Sequence, residues 1–290
     1  MTADLAAQLL IYGLVLGAVY GLVAIGLTLV FGVLDVLNAA HGIFYTVGGY
    51  AAWYCVGVLG LPYIPSLLVA GLAGAVVGVI CEKVAVARIR TRPNAVMIAT
   101  FCFALLVESA ISATLGDSPR EVPTVYNSGL VMIGDVVLNH QRILVFAVTL
   151  VLFLGVDAFV RLSPIGLAMR AVARDMATAA LMGINVSRVY VITFALSAFL
   201  AAVSGALLAP LFSVDPSNWS FALIKGFVVV LIGGAGSILG AFLGGLALGV
   251  MESFGAAWSS GAKDGIGLAL LIVVLLWRPQ GFLGHGEQGR

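Results

Sequence analysis

Charge is what this sequence most lacks. Of its 290 residues, 9% are charged and 62% hydrophobic, where a soluble domain carries about 25% charged residues. So few charges cannot clothe a water-facing surface, which excludes a soluble protein and leaves the lipid bilayer as solvent around most of the chain. A formal net charge of +1 excludes an electrostatic nucleic-acid binder. Cysteine is scarce too. Cys55, Cys81 and Cys102 are odd in number, form no CxxC pair and lie inside apolar stretches, so they read as small core-packing residues. Of the few histidines, His140 and His285 lie far from His41, which leaves no metal cluster, and no cofactor is expected. No GxxxxGK[ST], GxSxG or HExxH motif occurs, so the chain has no phosphate-binding loop and no catalytic residues are assigned. The N-terminus lacks the basic region and small-residue cleavage site of a signal peptide, so its first hydrophobic stretch reads as a retained span.

What the chain does have is long apolar runs: 5–34, 43–59, 64–87, 95–115, 143–160, 189–212, 221–232, 238–255 and 265–277. A span needs roughly 20 residues, so the pattern predicts an all-α, polytopic transmembrane helical bundle of about eight or nine spans, some of them broken or re-entrant. The first run is long enough to tilt or carry a break. The seventh is short and runs into Gly233-Gly234-Ala235-Gly236-Ser237, a tight turn or an unwound point in a re-entrant pair.

The basic residues are distributed unevenly. Lys83, Arg88, Arg90 and Arg92 follow the third run, Arg161, Arg170, Arg174 and Arg188 the fifth, and Arg278 and Arg290 the last. An even number of spans separates these clusters, so all can share one face, which the positive-inside rule makes cytoplasmic. Arg120, Arg142, Lys225 and Lys263 are assigned to the opposite set of gaps. The first 82 residues hold no Lys or Arg; counting back puts the N-terminus outside. In the outer gap 116–142, Leu130–Ile133 and Val136–Leu138 are β-prone runs around Gly134-Asp135, the signature of a hairpin. Gly13, Gly17 and Gly21 recur at i, i+4, i+8, as do Gly240, Gly244/Gly245 and Gly249, a spacing that lets helix backbones approach closely in lipid. Packing within one bundle is the expected use.

The inside segment 161–188 reads as a short amphipathic helix. Ser163-Pro164 supplies an N-cap and first-turn proline, and Gly183 supplies the stop. Met169, Val172, Met176 and Ala180 share one face, with Arg170 and Arg174 on another. Ser187 is expected to cap the next span. Such a helix can lie on lipid or in a protein groove. Its alanine-rich face, where lipid-seeking helices carry Trp, Phe and Leu, favours the groove.

At this point the residues carry a resemblance. Arg170-Ala-Val-Ala-Arg-Asp175, followed by Ala179 and by Gly183-Ile-Asn-Val186, resembles the coupling segment of ABC importer permeases of the branched-chain amino acid type, the LivH-like family. Gly26-Leu-Thr-Leu-Val-Phe-Gly32 with Leu37-Asn38-Ala-Ala-His41-Gly42, and Gly233-Gly234-Ala-Gly-Ser237-Ile-Leu-Gly240-Ala through Glu252, resemble two further segments of that family, in order along nearly the whole chain. One departure is Ala39-Ala40, where the family has a bulkier aromatic before the alanine. The resemblance implies one transmembrane permease domain over 1–290 in the bacterial inner membrane. Its implied partners are cytoplasmic ABC ATPase subunits, a second homologous permease (a heterodimer) and a periplasmic substrate-binding protein. It makes Arg170, Arg174, Asp175, Ala180 and Gly183 the ATPase-coupling residues, and a branched-chain or other small amino acid the cargo.

Polar residues inside the apolar runs complete the picture, because at that depth they must face protein or a water-filled path. Asp35, Asn38 and His41 recur where the first run breaks. Asn38 and His41 either hold an irregular turn bordering the translocation path, or belong to an interfacial loop with His41 capping a helix. Glu108 and Glu252 have no evident Lys or Arg partner within a span. Asn38, His41, Gly42, Gly233, Gly234 and Glu252 form the candidate path. Alternatives in other classes are a proton-coupled secondary transporter using Glu108 or Glu252 and a passive channel. The same machinery importing urea or short amides is a third.

Overall fold

The computed structural model describes residues 3–35, 37–124, 126, 129–133, 136–259, 262–278 and 281–284. Its centre is α1 (Ala3–Leu34), which is buried on every side from Gly17 to Val30. A helix apolar all round belongs in the middle of a membrane bundle rather than at its edge. It runs unbroken to Leu34, so the break considered from its length falls beyond the helix. After α1 come α2 (His41–Trp53), which continues as a π-helical turn over Tyr54–Val58, and α3 (Tyr63–Cys81), which ends in a second π-helical turn over Glu82–Val86. α4 (Pro93–Leu115) leads to β1 (Leu130–Ile133) and β2 (Val136–Asn139), which pair antiparallel with Val131 opposite Leu138. The hairpin's Gly134-Asp135 turn lies outside the described residues. Then follow α5 (His140–Leu162), α6 (Pro164–Arg174), α7 (Met176–Leu181), α8 (Val186–Leu208), α9 (Asn218–Gly233), α10 (Ile238–Trp258) and α11 (Ala262–Trp277).

Among the described residues, six helices are long and apolar enough to cross a membrane: α1, α3 with its π-helical turn, α4, α5, α8 and α10. Each of the nine apolar runs does hold a helix, but α2, α9 and α11 are shorter. The glycine periodicities meet each other. Gly13, Gly17 and Gly21 on α1 lie against Val250, Gly245 and Phe242 on α10, so the two backbones approach within the bundle at a ridge that no side chain could share. The cysteine expectation holds for Cys55 and Cys81, which are buried, and fails for Cys102, which is exposed. It sits on the outward face of α4 beside exposed Met97, Ile98, Phe101 and Leu105, a stripe whose solvent is lipid rather than core.

The two ends of the bundle differ. At one, Tyr12 of α1 donates to the Val137 carbonyl at 3.0 Å and lies 3.9 Å beneath the Arg142 guanidinium, while Arg120 pairs through its backbone with Val214. At the other, Val33 packs with Met169 and Val189, and Gly32 abuts Gly236. Arg90 hydrogen-bonds Ser187 there at 2.7 Å and lies 4.3 Å from the Tyr190 ring. The described members of the three basic clusters gather at this second end.

Candidate translocation path and coupling segment

Beyond Leu34 the chain turns at Asp35, whose φ is +51°, and climbs back beside α1. His41 Nε2 lies 2.9 Å from the Val23 carbonyl oxygen and Nδ1 lies 3.1 Å from Ser197 Oγ. Val23 is about 16 Å along α1 from Leu34, so α2 starts deep in the bundle. The start of α2 is thus tied to the middle of α1 and to α8 rather than to the end of α1. The turn is held by Asn38, whose Oδ1 accepts from the Ala40 amide at 3.0 Å and whose carbonyl accepts from the His41 amide at 3.3 Å. Ala39 N donates to Thr100 Oγ1 at 3.1 Å. Asn38 and His41 are wholly buried. A β-carbon on Gly42 would clash with the Trp219 carbonyl oxygen, so the first turns of α2 and α9 touch.

Glu252 has a partner that the sequence reading did not find. Lys225 lies within α9, not in a gap, and its Nζ sits 2.5 Å from Glu252 Oε1. Tyr20 donates to the other carboxylate oxygen, Oε2, at 3.1 Å. Glu252 is wholly buried and Lys225 nearly so. Glu108, the other carboxylate singled out, accepts from Trp219 Nε1 at 2.8 Å. A second buried carboxylate, Glu82, pairs with Arg90; the sequence reading assigned it no role.

Cavities gather around the Lys225–Glu252 pair. One of about 260 Å³ is walled by Phe221, Ile224, Val228 and Leu268 and closes on Lys225 and Glu252. A second, of about 130 Å³, reaches Glu252 from the side of Arg142 and Ser253. A third, of about 290 Å³, lies between Tyr20, Tyr45 and Asn218 and shares Phe221 with the first. A fourth, of about 570 Å³, opens between the 121–124 loop and Ala209–Ser213 and shares Phe212 and Ser213 with the third. These adjoining cavities form a row between the hairpin end of the bundle and the ion pair.

The predicted path residues do not form one cluster. Glu252 lines two cavities, while Asn38, His41 and Gly42 occupy the packed α1–α2–α8–α9 junction. Gly233 and Gly234 lie elsewhere again, at the basic end. There α9 stops with Gly234 at φ +99°, and the carbonyls of Ile232 and Gly233 accept from the amides of Phe282 and Leu283 at 2.9 and 3.0 Å.

The segment predicted to couple is two helices, not one. α6 begins at the Ser163 cap, whose side chain accepts from Gly166 N, and ends at Arg174. Asp175 is extended (φ −160°, ψ 105°), and its side chain accepts from the amides of Ala177 and Thr178 to start α7. The break shifts the register. Met169, Val172 and Ala179 are buried, while Met176 and Ala180 are exposed. Arg174 and Asp175 are exposed, as is Arg170, whose guanidinium also donates to the Val160 carbonyl. Gly183 turns the chain at φ +85°. The cap of α8 is Asn185, which accepts from Arg188 N at 3.0 Å, not Ser187, which instead accepts from Arg90.

Comparison with known proteins adds to this geometry. Residues 9–275 match the family described as branched-chain amino acid transport system, permease component. The chain is 35% identical to the high-affinity branched-chain amino acid transport system permease protein BraD of Pseudomonas aeruginosa, over 97% of this chain and 96% of that one. It is 34% identical to the corresponding protein LivH of Escherichia coli K12, with the same coverage. It is 25% identical to the permease protein LivM of the same bacterium, over 97% of this chain and 70% of LivM.

Proposed function

The chain belongs to the family of permease components of branched-chain amino acid transport systems, and on that premise we propose how it works. It is the membrane-spanning permease subunit of an ATP-driven importer and not an enzyme; ATPase and substrate-binding partners go with the family. The match over residues 9–275 carries this reading. The cargo is a branched-chain amino acid. The passage runs from the hairpin end, through the cavities beside Phe212 and Phe221, to the Lys225–Glu252 pair.

We place the basic end, with α6 and α7, in the cytoplasm, because Lys and Arg accumulate on that side of spans. The bilayer is then the bacterial inner membrane, and the hairpin end meets the binding protein. There α6–α7 seats in the ATPase, with Arg170, Arg174, Asp175, Ala180 and Gly183 as the docking set. Asn38, His41 and Gly42 anchor the re-entrant start of α2. Gly233 and Gly234 form the hinge between α9 and α10. Counting α2 and α9 as half-helices that do not each cross alone, and α11 as a short crossing, the nine runs form a bundle with re-entrant members of the kind transporters use around their path. The second permease is a LivM-like homologue: in one bacterium two permease proteins of the same high-affinity system both resemble this chain.

The test is reconstitution in proteoliposomes of this chain with a LivM-like permease, the ATPases and the binding protein. ATP-dependent accumulation of labelled leucine is the expected result. Flux without ATP would point to a channel, and accumulation driven by a proton gradient alone would point to a secondary transporter. The latter is disfavoured by Glu252, which is already committed to Lys225.

A further inference from the structure

We propose that the Lys225–Glu252 pair is the substrate-recognition point of the path. An amino-acid zwitterion inserts in series between the two side chains, its ammonium taken by Glu252 and its carboxylate by Lys225. The inference rests on the transport reading above and names the groups that hold the cargo.

Three observations carry it. The pair sits where the row of cavities arrives, and Glu252 lines a cavity on each of two sides. The cavity of about 260 Å³ beside it has aliphatic and aromatic walls, Phe221, Ile224, Val228 and Leu268, and one charge of each sign. An aliphatic amino acid has that composition: a branched hydrocarbon side chain and one charge of each sign. Thirdly, the carboxylate is held so that one oxygen alone need be exchanged. Tyr20 binds Oε2, while Lys225 binds Oε1. Next to Oε1 lies Gly267 of α11, where a β-carbon would come within 3.0 Å of that oxygen.

Electrostatics favours exchange over simple binding. A lone charge on a path through the bilayer is costly, and so is any step that leaves one ion of a buried pair unpaired. Inserting a zwitterion changes the net charge of the site by nothing, and each side chain trades one partner for another of the same sign. No bond breaks and no proton moves. When the substrate leaves, Lys225 and Glu252 close on each other again, so the empty path is self-neutralising and holds the cargo weakly enough to release it. A purely structural pair behaves otherwise: well-packed neutral residues can replace it at little cost.

The test is equilibrium binding of radiolabelled L-leucine to the complete detergent-purified transporter without its binding protein. Wild type is expected to bind L-leucine. Leucinamide, which has only the ammonium, and 4-methylpentanoate, which has only the carboxylate, are expected to compete at least tenfold more weakly. The double variant K225M/E252Q is expected to assemble and lose binding and uptake at least tenfold, while K225R/E252D, which keeps both charges, retains a measurable part of each. Equal competition by either singly charged analogue in wild type would overturn the proposal, and needs no variant to fold. So would K225M/E252Q transporting leucine as wild type does. Failure of wild type itself to accumulate leucine with ATP would instead sink the transport reading.

Discussion

A β-carbon placed on Gly17 of α1 would lie 2.5 Å from the carbonyl oxygen of Gly245 on α10. Carbon contacts prefer about 3.5–4.0 Å, and the obstacle is backbone, which cannot swing aside as a side chain can. Overpacking a core typically costs about 1–3 kcal/mol. Gly17→Leu should therefore lower the melting temperature in detergent sharply and cut the yield of assembled protein. Gly155 of α5 faces open space, so Gly155→Ala should leave both unchanged. Equal effects at the two positions would mean that the α1–α10 ridge is not the central contact of the bundle.

The coupling segment separates docking from folding. Arg174 is exposed at the end of α6, so Arg174→Glu should leave the stability within about 0.5 kcal/mol of wild type, as for surface substitutions generally. It should still abolish leucine uptake and the stimulation of ATP hydrolysis by the loaded binding protein. Arg170 is a poorer probe, since its guanidinium also ties α6 to the Val160 carbonyl. Asp175→Ala removes the cap of α7 and should cost about 1 kcal/mol besides loosening the docking surface. Normal uptake by Arg174→Glu would exclude this face from the motor contact.

Much of this was legible in the sequence, for reasons that particular residues show. The i, i+4, i+8 glycines announced close helix packing within the bundle because helical geometry alone puts Gly13, Gly17 and Gly21 on one line; that this line meets α10 came from the structure. The cluster at Asp35, Asn38 and His41 revealed the break because polar side chains are expensive at that depth. The Lys225–Glu252 pair was not legible. With α9 and α10 as a simple hairpin about the Gly234–Ser237 turn, Glu252 stands about 9 Å farther along its helix than Lys225 does. The long lysine side chain has to reach across that offset. The break at Asp175 was hidden by alanines and methionines that continue the helical pattern across it; the one signal was an Asp, a capping residue, inside that run. The face of Cys102 depends on where α4 meets lipid, which hydropathy cannot resolve.

Buried Glu82 and partly exposed Arg90 form another ion pair, at the basic end. Arg90 also bonds Ser187 and lies over Tyr190, at the start of α8 just after the coupling turn. Arg90→Ala would leave the wholly buried Glu82 carboxylate without its cation, a change that costs about 3–5 kcal/mol when both partners are buried and less here, since Arg90 is partly exposed. The expected result is a lower melting temperature and lost uptake. Glu82→Gln with Arg90→Met should recover most of the stability but not the uptake, if the arginine passes movement of the coupling turn to α3. Recovery of both together would reduce Arg90 to a structural tie.

His41 offers a test of the re-entrant junction itself. Its ring bridges α1 and α8 through the Val23 carbonyl and the Ser197 hydroxyl and is wholly buried. His41→Ala removes both links and opens a hole, so it should cost about 2–4 kcal/mol by analogy with large-to-small core changes. His41→Gln keeps part of the hydrogen bonding and should cost less. Because the junction holds the start of α2 rather than the motor contact, the surviving protein should transport fewer molecules while spending the same number of ATP per leucine. Arg174→Glu should do the opposite, keeping the fold while losing substrate-stimulated hydrolysis. If His41→Ala alters the ratio of ATP hydrolysed to leucine moved without lowering the melting temperature, then the residue acts in coupling and the anchoring role assigned to it is wrong.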